Sequence, residues 1–196
     1  MPRHHFPWWF HYLWENRLRR LVQHPERVLA PYVREGMQCI EIGCGMGFFT
    51  VPLAQTVGPA GRVVAVDVKE PLLDTLRRRA RRAGVNDRIE TSLTPAEELE
   101  ADLRADFVLA VWSLHELDDG GRAARRIVGR MKTGACMLVA EPKWHVGASA
   151  FWRRLEPFLS AGLALAGTPK VGISHAAVLA RPAEPPDACA GHRSSE

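Results

Sequence analysis

Hydrophobic positions follow two alternating patterns from about residue 36 to residue 180 of this chain. Short, continuous apolar runs are typical of buried parallel strands, and apolar residues every three or four positions are typical of helices that pack on a sheet. The predicted helices are Phe48–Val57, Glu70–Ala83, Arg122–Met131 and a helix that Ser149 caps and that ends at Ala161. The predicted strands are Gln38–Ile42, Arg62–Asp67, Arg88–Ser92, Phe107–Val111, Ala135–Glu141, Leu163–Pro169 and Ser174–Ala180.

The order of these segments predicts the fold class. Alternating strands and helices form a doubly wound α/β fold, in which a mostly parallel sheet carries helices on both faces. The last two strands are an exception, because Val171 and Gly172 between them allow only a tight turn and parallel neighbours need a longer crossover. We therefore predict a seven-stranded, Rossmann-like sheet whose last strand is antiparallel.

Composition divides the chain into three regions. Residues 1–34 are rich in aromatic residues and arginine, and they predict a helical, aromatic lid over a site, or else a segment that packs against the sheet. Residues 35–181 form the predicted Rossmann-like domain. Residues 182–196 are rich in proline, alanine and polar residues, which predicts a disordered tail.

Bulk composition narrows the class of protein. The 46% apolar and 24% charged residues are typical of a soluble globular protein, and no apolar run is long enough to cross a bilayer. The four cysteines form no C-x-x-C pair, and the histidines of the first 24 residues lack metal-ligand spacing, so we expect no metal site. Without a recognisable signal peptide, we expect a cytoplasmic protein that does not bind membranes.

The basic charge can favour nucleic acid or an anionic membrane as a partner. The formal net charge is +4, and arginines concentrate in two clusters, Arg77–Arg82 and Arg122–Arg126, on predicted helices. Such clusters can bind nucleic acid, or they can be the solvated outer face of a helix. The arginines fall between the apolar positions, which favours the solvated face.

A glycine-rich loop, Gly43–Gly47, follows the first predicted strand. Ligands of doubly wound sheets bind beyond the carboxyl ends of the strands, where glycines let the backbone approach closely. A dinucleotide site spaces its glycines as G-x-G-x-x-G, but here Gly47 comes one residue early and Phe48 follows it. The spacing therefore favours a cofactor without phosphate, such as S-adenosylmethionine. Asp67, at the tip of the second strand, can accept hydrogen bonds from a ribose or can cap the next helix.

The segments Val33–Asp67, Phe107–His115 and Leu138–His145 together resemble the class I S-adenosylmethionine-dependent methyltransferases, closest to small stand-alone members with a His-Glu pair after the fourth strand. The resemblance implies that S-adenosylmethionine is the cofactor. It also implies that Asp67 holds the ribose and Val68 packs on the adenine. The other cofactor-binding residues that it implies are Glu41, Gly43, Cys44, Gly45 and Gly47 for the amino-acid end, together with Ala96 and Trp112.

One position departs from the family pattern. After the third strand the family usually has an Asp that binds the adenine amino group, but this sequence has Pro95 there. Proline offers no such hydrogen bond, so adenine recognition falls to the backbone of Ala96 or to Glu97.

Candidate acceptor-binding residues follow the fourth and fifth strands. His115 can act as a general base, with Glu116 orienting it or binding a substrate cation; alternatively, His115 only packs beside the cofactor and Glu116 bonds the backbone. Glu141, Lys143 and His145 are assigned to the substrate side, where Lys143 and His145 can bind an anion or can be exposed loop residues. Trp14 of the N-terminal segment is assigned to the substrate as well.

These features predict transfer of a methyl group from S-adenosylmethionine to a small-molecule acceptor by in-line displacement. The absence of an Asn/Asp-Pro-Pro-Tyr motif after the fourth strand argues against base-amino methylation. Two alternatives stay open: an RNA methyltransferase, suggested by the arginine clusters, and a catalytically inactive binding protein, suggested by Pro95. The sequence also leaves a homodimer open.

Overall fold

A computed structural model describes residues 23–183, which form a single seven-stranded sheet with helices on both faces. The α-helices within residues 23–183 are α1 (Pro25–Leu29), α2 (Thr50–Val57), α3 (Glu70–Arg82), α4 (Gly120–Arg130) and α5 (Ala148–Ser160). The seven strands are β1 (Gln38–Ile42), β2 (Arg62–Asp67), β3 (Ile89–Leu93), β4 (Ala105–Val111), β5 (Met131–Pro142), β6 (Ala164–Gly167) and β7 (Ser174–Ala180).

The sheet has the strand order β3-β2-β1-β4-β5-β7-β6. The pairs from β3 to β5 are parallel, and β7 is antiparallel to both of its neighbours, β5 and β6. The predicted fold class is therefore confirmed. The order reverses beside β1, so the loops that follow β1, β2 and β4 meet at one edge, where doubly wound sheets bind ligands.

The apolar run of β4 explains its central position. Phe107 and Leu109 pack into the cluster that contains Leu53 of α2, whereas Val108 and Ala110 pack into the cluster that contains Ile127 of α4. Successive strand residues point to opposite faces, so a strand with helices on both sides must be apolar throughout. Each fully buried side chain of this size contributes about 1.5–3 kcal/mol to folding.

The two arginine clusters lie on opposite sides of the sheet. Leu76 and Ala80 of α3 pack on the same face as α2, and Ile127 of α4 packs on the other face. Arg77 of α3 also forms ion pairs with Glu70 and Asp74. The arginines therefore do not form one continuous basic surface.

Element ends differ from the predicted ones where tertiary contacts decide them. Ser149 does not cap α5: the N-cap is Gly147, and Ser149 lies within the first turn. The cap of α4 is Asp119, whose Oδ1 accepts the backbone N–H of Arg122 at 2.9 Å. Strand β5 begins at Met131, earlier than predicted, because Met131 pairs with Ala105 of β4.

Parts of two of the three predicted regions lie outside the described residues. Residues 1–22, which include Trp14 and most of the predicted lid, and residues 184–196 of the predicted tail belong to these parts. Among residues 23–183, no helix has the length and apolar character needed to span a membrane.

Candidate functional site

The glycine loop after β1 has a backbone that only glycine adopts without strain. Gly43, Gly45 and Gly47 have φ values of +69°, +54° and +86°. The loop is also closely packed, since a Cβ on Gly43 would lie 2.3 Å from Cβ of Ser113 and one on Gly47 would lie 2.4 Å from Cδ1 of Leu76. The loop therefore needs glycine for its conformation and, at two of these positions, for lack of space.

Asp67 joins the end of β2 to this loop. Its Oδ2 accepts the backbone N–H of Gly45 at 2.9 Å, and its Oδ1 accepts the N–H of Lys69 at 3.0 Å. Burial raises the pKa of Asp67, and these two hydrogen bonds oppose that rise. Each carboxylate oxygen keeps a further lone pair, so the fixed carboxylate can accept hydrogen bonds from a diol.

A cleft of about 260 Å³ opens beside Asp67. Its walls come from the loops after β1, β2 and β3 and from the turn after β4, where Glu116 lies. Nζ of Lys69 and Oε2 of Glu116 approach to 3.7 Å. The predicted cofactor residues Gly43, Asp67, Val68 and Ala96 all line this cleft.

Trp112 makes a strained bend at the end of β4. Its φ of +60° is unusual for an aromatic residue and costs on the order of 1–3 kcal/mol. The bend is held by hydrogen bonds from its backbone N–H to the carbonyl of Ala140 at 2.8 Å and from Nε1 to Oγ of Ser174 at 2.9 Å. Trp112 also meets the ring of Trp144 edge to face. The bend sets the direction of the short 3-10 turn Leu114–Glu116 that follows.

That turn places His115 against Glu141, the fully buried acid near the end of β5. One carboxylate oxygen accepts the backbone N–H of His115 at 3.1 Å, and the other lies 2.7 Å from its Nδ1. The expected partner of His115 was Glu116, but the side chain of Glu116 pairs with Lys69. Adjacent residues of a 3-10 turn point in different directions, which is why the neighbour in sequence is not the neighbour in space.

Two of the remaining predicted acceptor residues differ in their surroundings. The ring of His145 lies 4.8 Å from the ring of His115, centroid to centroid. Lys143 is exposed, and its backbone N–H donates to the carbonyl of Ile173. The described residues hold no cluster of His, Cys, Asp or Glu that fits a metal ion.

Two residues that shape the site were not predicted from the sequence. Ser113, buried and packed against Gly43, lines the cleft, and Ser174 anchors Trp112. The predicted antiparallel direction of β7 could have identified Ser174 as a residue of the site. The first residue of a strand antiparallel to β5 lies beside the carboxyl end of β5. Nothing in the sequence pointed to the contact between Ser113 and Gly43.

The loop fits S-adenosylmethionine better than a dinucleotide. In a dinucleotide site the backbone N–H groups of this loop face pyrophosphate. Here the N–H of Gly45 donates to the carboxylate of Asp67, an anion that would repel a phosphate at the same position. A ribose and an amino-acid group suit these donors and acceptors.

This fold and this loop define a class of protein. A family model described as a methyltransferase domain matches residues 39–134. The chain belongs to the class I S-adenosylmethionine-dependent methyltransferases, whose cofactor is S-adenosylmethionine.

Curated relatives point to the same class. The chain is 30% identical over 110 residues to the ubiquinone/menaquinone biosynthesis C-methyltransferase UbiE of Pasteurella multocida, covering 56% of the chain and 41% of the relative. It is 27% identical over 143 residues to the demethylmenaquinone methyltransferase of Symbiobacterium thermophilum, covering 69% of the chain and 57% of the relative. The chain thus spans about half the length of these relatives.

Solved structures support the fold. A SAM-dependent methyltransferase from Aquifex aeolicus superposes with a TM-score of 0.78 at 20% identity, covering 90% of this chain and 99% of the other. A putative S-adenosyl-L-methionine-dependent methyltransferase from Methanococcus maripaludis gives a TM-score of 0.75 at 14% identity, covering 94% and 99%.

Proposed function

We propose that this protein transfers a methyl group from S-adenosylmethionine to a small-molecule acceptor. The observation that carries the proposal is the buried carboxylate of Asp67, fixed by the backbone of Gly45 and Lys69 at the edge of the cleft. Such a group suits a ribose diol next to a loop that does not bind phosphate.

In this proposal, different residues of the chain bind different parts of the cofactor. Asp67 holds the ribose, Val68 and Ala96 contact the base, and Trp112 closes the methyl-donor end. Glu41, Gly43, Cys44, Gly45 and Gly47 hold the amino-acid end. When bound, the cofactor supplies an electrophilic methyl group on a sulfonium.

His115 is the proposed general base on the acceptor side. The carboxylate of Glu141 only accepts hydrogen bonds, so Nδ1 of His115 carries the proton and Nε2 keeps a free lone pair. A proton that leaves an acceptor hydroxyl or an acidic C–H moves to Nε2. The buried charge of Glu141 then stabilises the imidazolium that forms. Glu141 is a positioning residue here, whereas His145 and Lys143 are proposed to contact the acceptor.

A hydroxylated aromatic ring is the proposed acceptor class. Two relatives are named for C-methylation in quinone biosynthesis or for methylation of demethylmenaquinone, and a phenol-like ring loses a proton when it is methylated on carbon or oxygen. RNA is a weaker candidate, because the arginine clusters of α3 and α4 lie on opposite faces of the sheet. We also propose a cytoplasmic location, in keeping with the free thiols of Cys39 and Cys136 in the described residues.

The test is methyl transfer from cofactor labelled on its methyl group. Purified protein is incubated with demethylmenaquinone in its reduced form, with a low-mass cell extract, or with total RNA, and an Asp67→Ala variant serves as the control. We expect label in a low-mass organic product, and much less of it with the variant at the same cofactor concentration. Label in RNA alone would favour the nucleic-acid alternative. Failure to bind S-adenosylmethionine in calorimetry would refute the proposed function.

A further inference from the structure

An exposed apolar rim lies beside the proposed acceptor site, at the carboxyl end of β5. It consists of Trp144, Trp152 and Ile173, whose exposed fractions are 55%, 42% and 43%. Trp144 follows β5, Trp152 lies in α5 and Ile173 directly precedes β7. Single exposed apolar residues need no explanation, whereas a group of them at one place marks an interaction surface.

Contacts at one end of the β5–β7 ladder bring the members of the apolar rim together. The backbone N–H of Lys143 donates to the carbonyl of Ile173 at 3.1 Å, which holds the loop after β5 against the residue before β7. Trp152 packs edge to face on Phe151, whose ring centroid lies 5.7 Å from that of His175 in β7. Three segments that are distant in sequence therefore build the rim, which is why composition alone predicted no membrane binding.

Positive charge accompanies the apolar rim. Each of its three segments carries an exposed cation, namely Lys143 after β5, Arg153 in α5 and Lys170 before β7. Between residues 142 and 183, all of which the structure describes, the only acid is Glu156, one turn beyond Trp152 in α5. Tryptophan and aliphatic side chains among lysine and arginine are typical of surfaces that lie on anionic lipid. We propose that the apolar rim docks on the surface of an anionic bilayer.

The cofactor cleft carries the opposite charge. Four acids, Asp67, Glu97, Glu116 and Asp118, line it together with one cation, Lys69. An anionic surface attracts the rim and repels the cleft, so the field orients the protein with its acceptor side on the bilayer and its cleft open to water. Docking itself does not depend on the proposed function. Combined with that function, it means that the acceptor comes from the lipid phase and the cofactor from water.

A lipid surface fits the apolar rim better than RNA or a second copy of the chain does. Recognition of RNA uses aromatic faces for stacking and many contacts to phosphate, whereas the rim includes the aliphatic Ile173 and has three exposed cations. A second copy related by a two-fold axis would place the same cations against one another.

The experiment measures co-sedimentation of the full chain with vesicles of phosphatidylcholine, alone or mixed with phosphatidylglycerol. The rim variants are Trp144→Ser and Lys170→Glu. Their controls, Leu165→Ser and Arg82→Glu, make similar changes at exposed residues of β6 and α3. The parent chain should bind the mixed vesicles, more weakly as salt is raised, and should bind phosphatidylcholine alone far less. We expect each rim variant to bind the mixed vesicles roughly 10-fold more weakly, and each control to bind within about twofold of the parent.

Several results would overturn the inference. Among them are a parent chain that does not bind the mixed vesicles and an equal loss in the rim and control variants. Binding of the parent to single-stranded RNA but not to vesicles would assign the rim to nucleic acid, and a parent dimer that Trp144→Ser converts to a monomer would assign it to a second copy. Melting curves verify that the variants fold, and the lipid and salt dependence of the parent tests the inference even where a variant does not. Calorimetry with S-adenosylhomocysteine tests the proposed function separately, because docking needs no cofactor.

Discussion

Gly43→Ala tests whether the glycine loop and the turn after β4 are packed against each other as the structure indicates. Two costs add at this position. A φ of +69° costs a residue with a Cβ about 1–2 kcal/mol. The added Cβ also lies 2.3 Å from Cβ of Ser113, and overpacking of this kind costs about 1–3 kcal/mol. We expect the free energy of unfolding to fall by about 2–5 kcal/mol.

Gly36→Ala is the matched control for the energetic cost of a positive φ without a clash. Gly36 has a φ of +80°, and a Cβ added there would meet nothing within 4 Å. Urea unfolding should therefore give a loss of only about 1–2 kcal/mol for this variant, with an unchanged dependence on denaturant. Equal losses for the two variants would refute the packing argument.

A second change isolates the contact itself. Ser113→Gly removes the atom that clashes with the Cβ added at position 43, and the next atom, Cα of residue 113, lies at an ordinary 3.6 Å. In a double-mutant cycle, Gly43→Ala and Ser113→Gly should show a favourable coupling energy of about 1–3 kcal/mol. A coupling near zero would mean that the destabilisation comes from the backbone alone.

Three further predictions concern the chemistry of the site. Asp67→Ala should weaken binding of S-adenosylhomocysteine by roughly 10-fold or more, and calorimetry that finds parental affinity would remove Asp67 from the ribose site. Burial raises the pKa of Asp67, so this carboxylate becomes protonated at a higher pH than an ordinary aspartate. As the pH is lowered, the parent chain should therefore begin to lose affinity for S-adenosylhomocysteine above the pH range in which ordinary aspartates titrate. An affinity that stays constant down to that range would contradict the prediction. Glu141→Gln turns an NH₂ group towards Nδ1 of His115 and moves the ring proton to Nε2, so kcat should fall by about 100-fold or more with little change in KM. The ¹⁵N shifts of the imidazole report the tautomer, and an unchanged tautomer with an unchanged rate would argue against the proposed base.

The sequence was sufficient to predict the sheet, the glycine loop and the acid at the end of β2. Continuous apolar runs identify central strands directly, and the short link at Val171 and Gly172 forces the reversal of β7. The pairing of His115 with Glu141 was not predictable, although both residues were expected at one edge of the sheet. It depends on the register that pairs Val111 with Ala140 and on the bend at Trp112, and neither leaves a pattern in the sequence.

The turn after β4 links the two halves of the site. Ser113 packs against the glycine loop, His115 meets the buried acid of β5, and Glu116 reaches Lys69 after β2. Two loops and strand β5 thus hold one short segment, and these contacts together help to maintain the strained φ of Trp112. A group that displaces Gly43 must also displace Ser113, which precedes the proposed base His115 by two residues. The position of the proposed base is therefore tied by packing to the glycine loop, the proposed binding site of the amino-acid end of the cofactor.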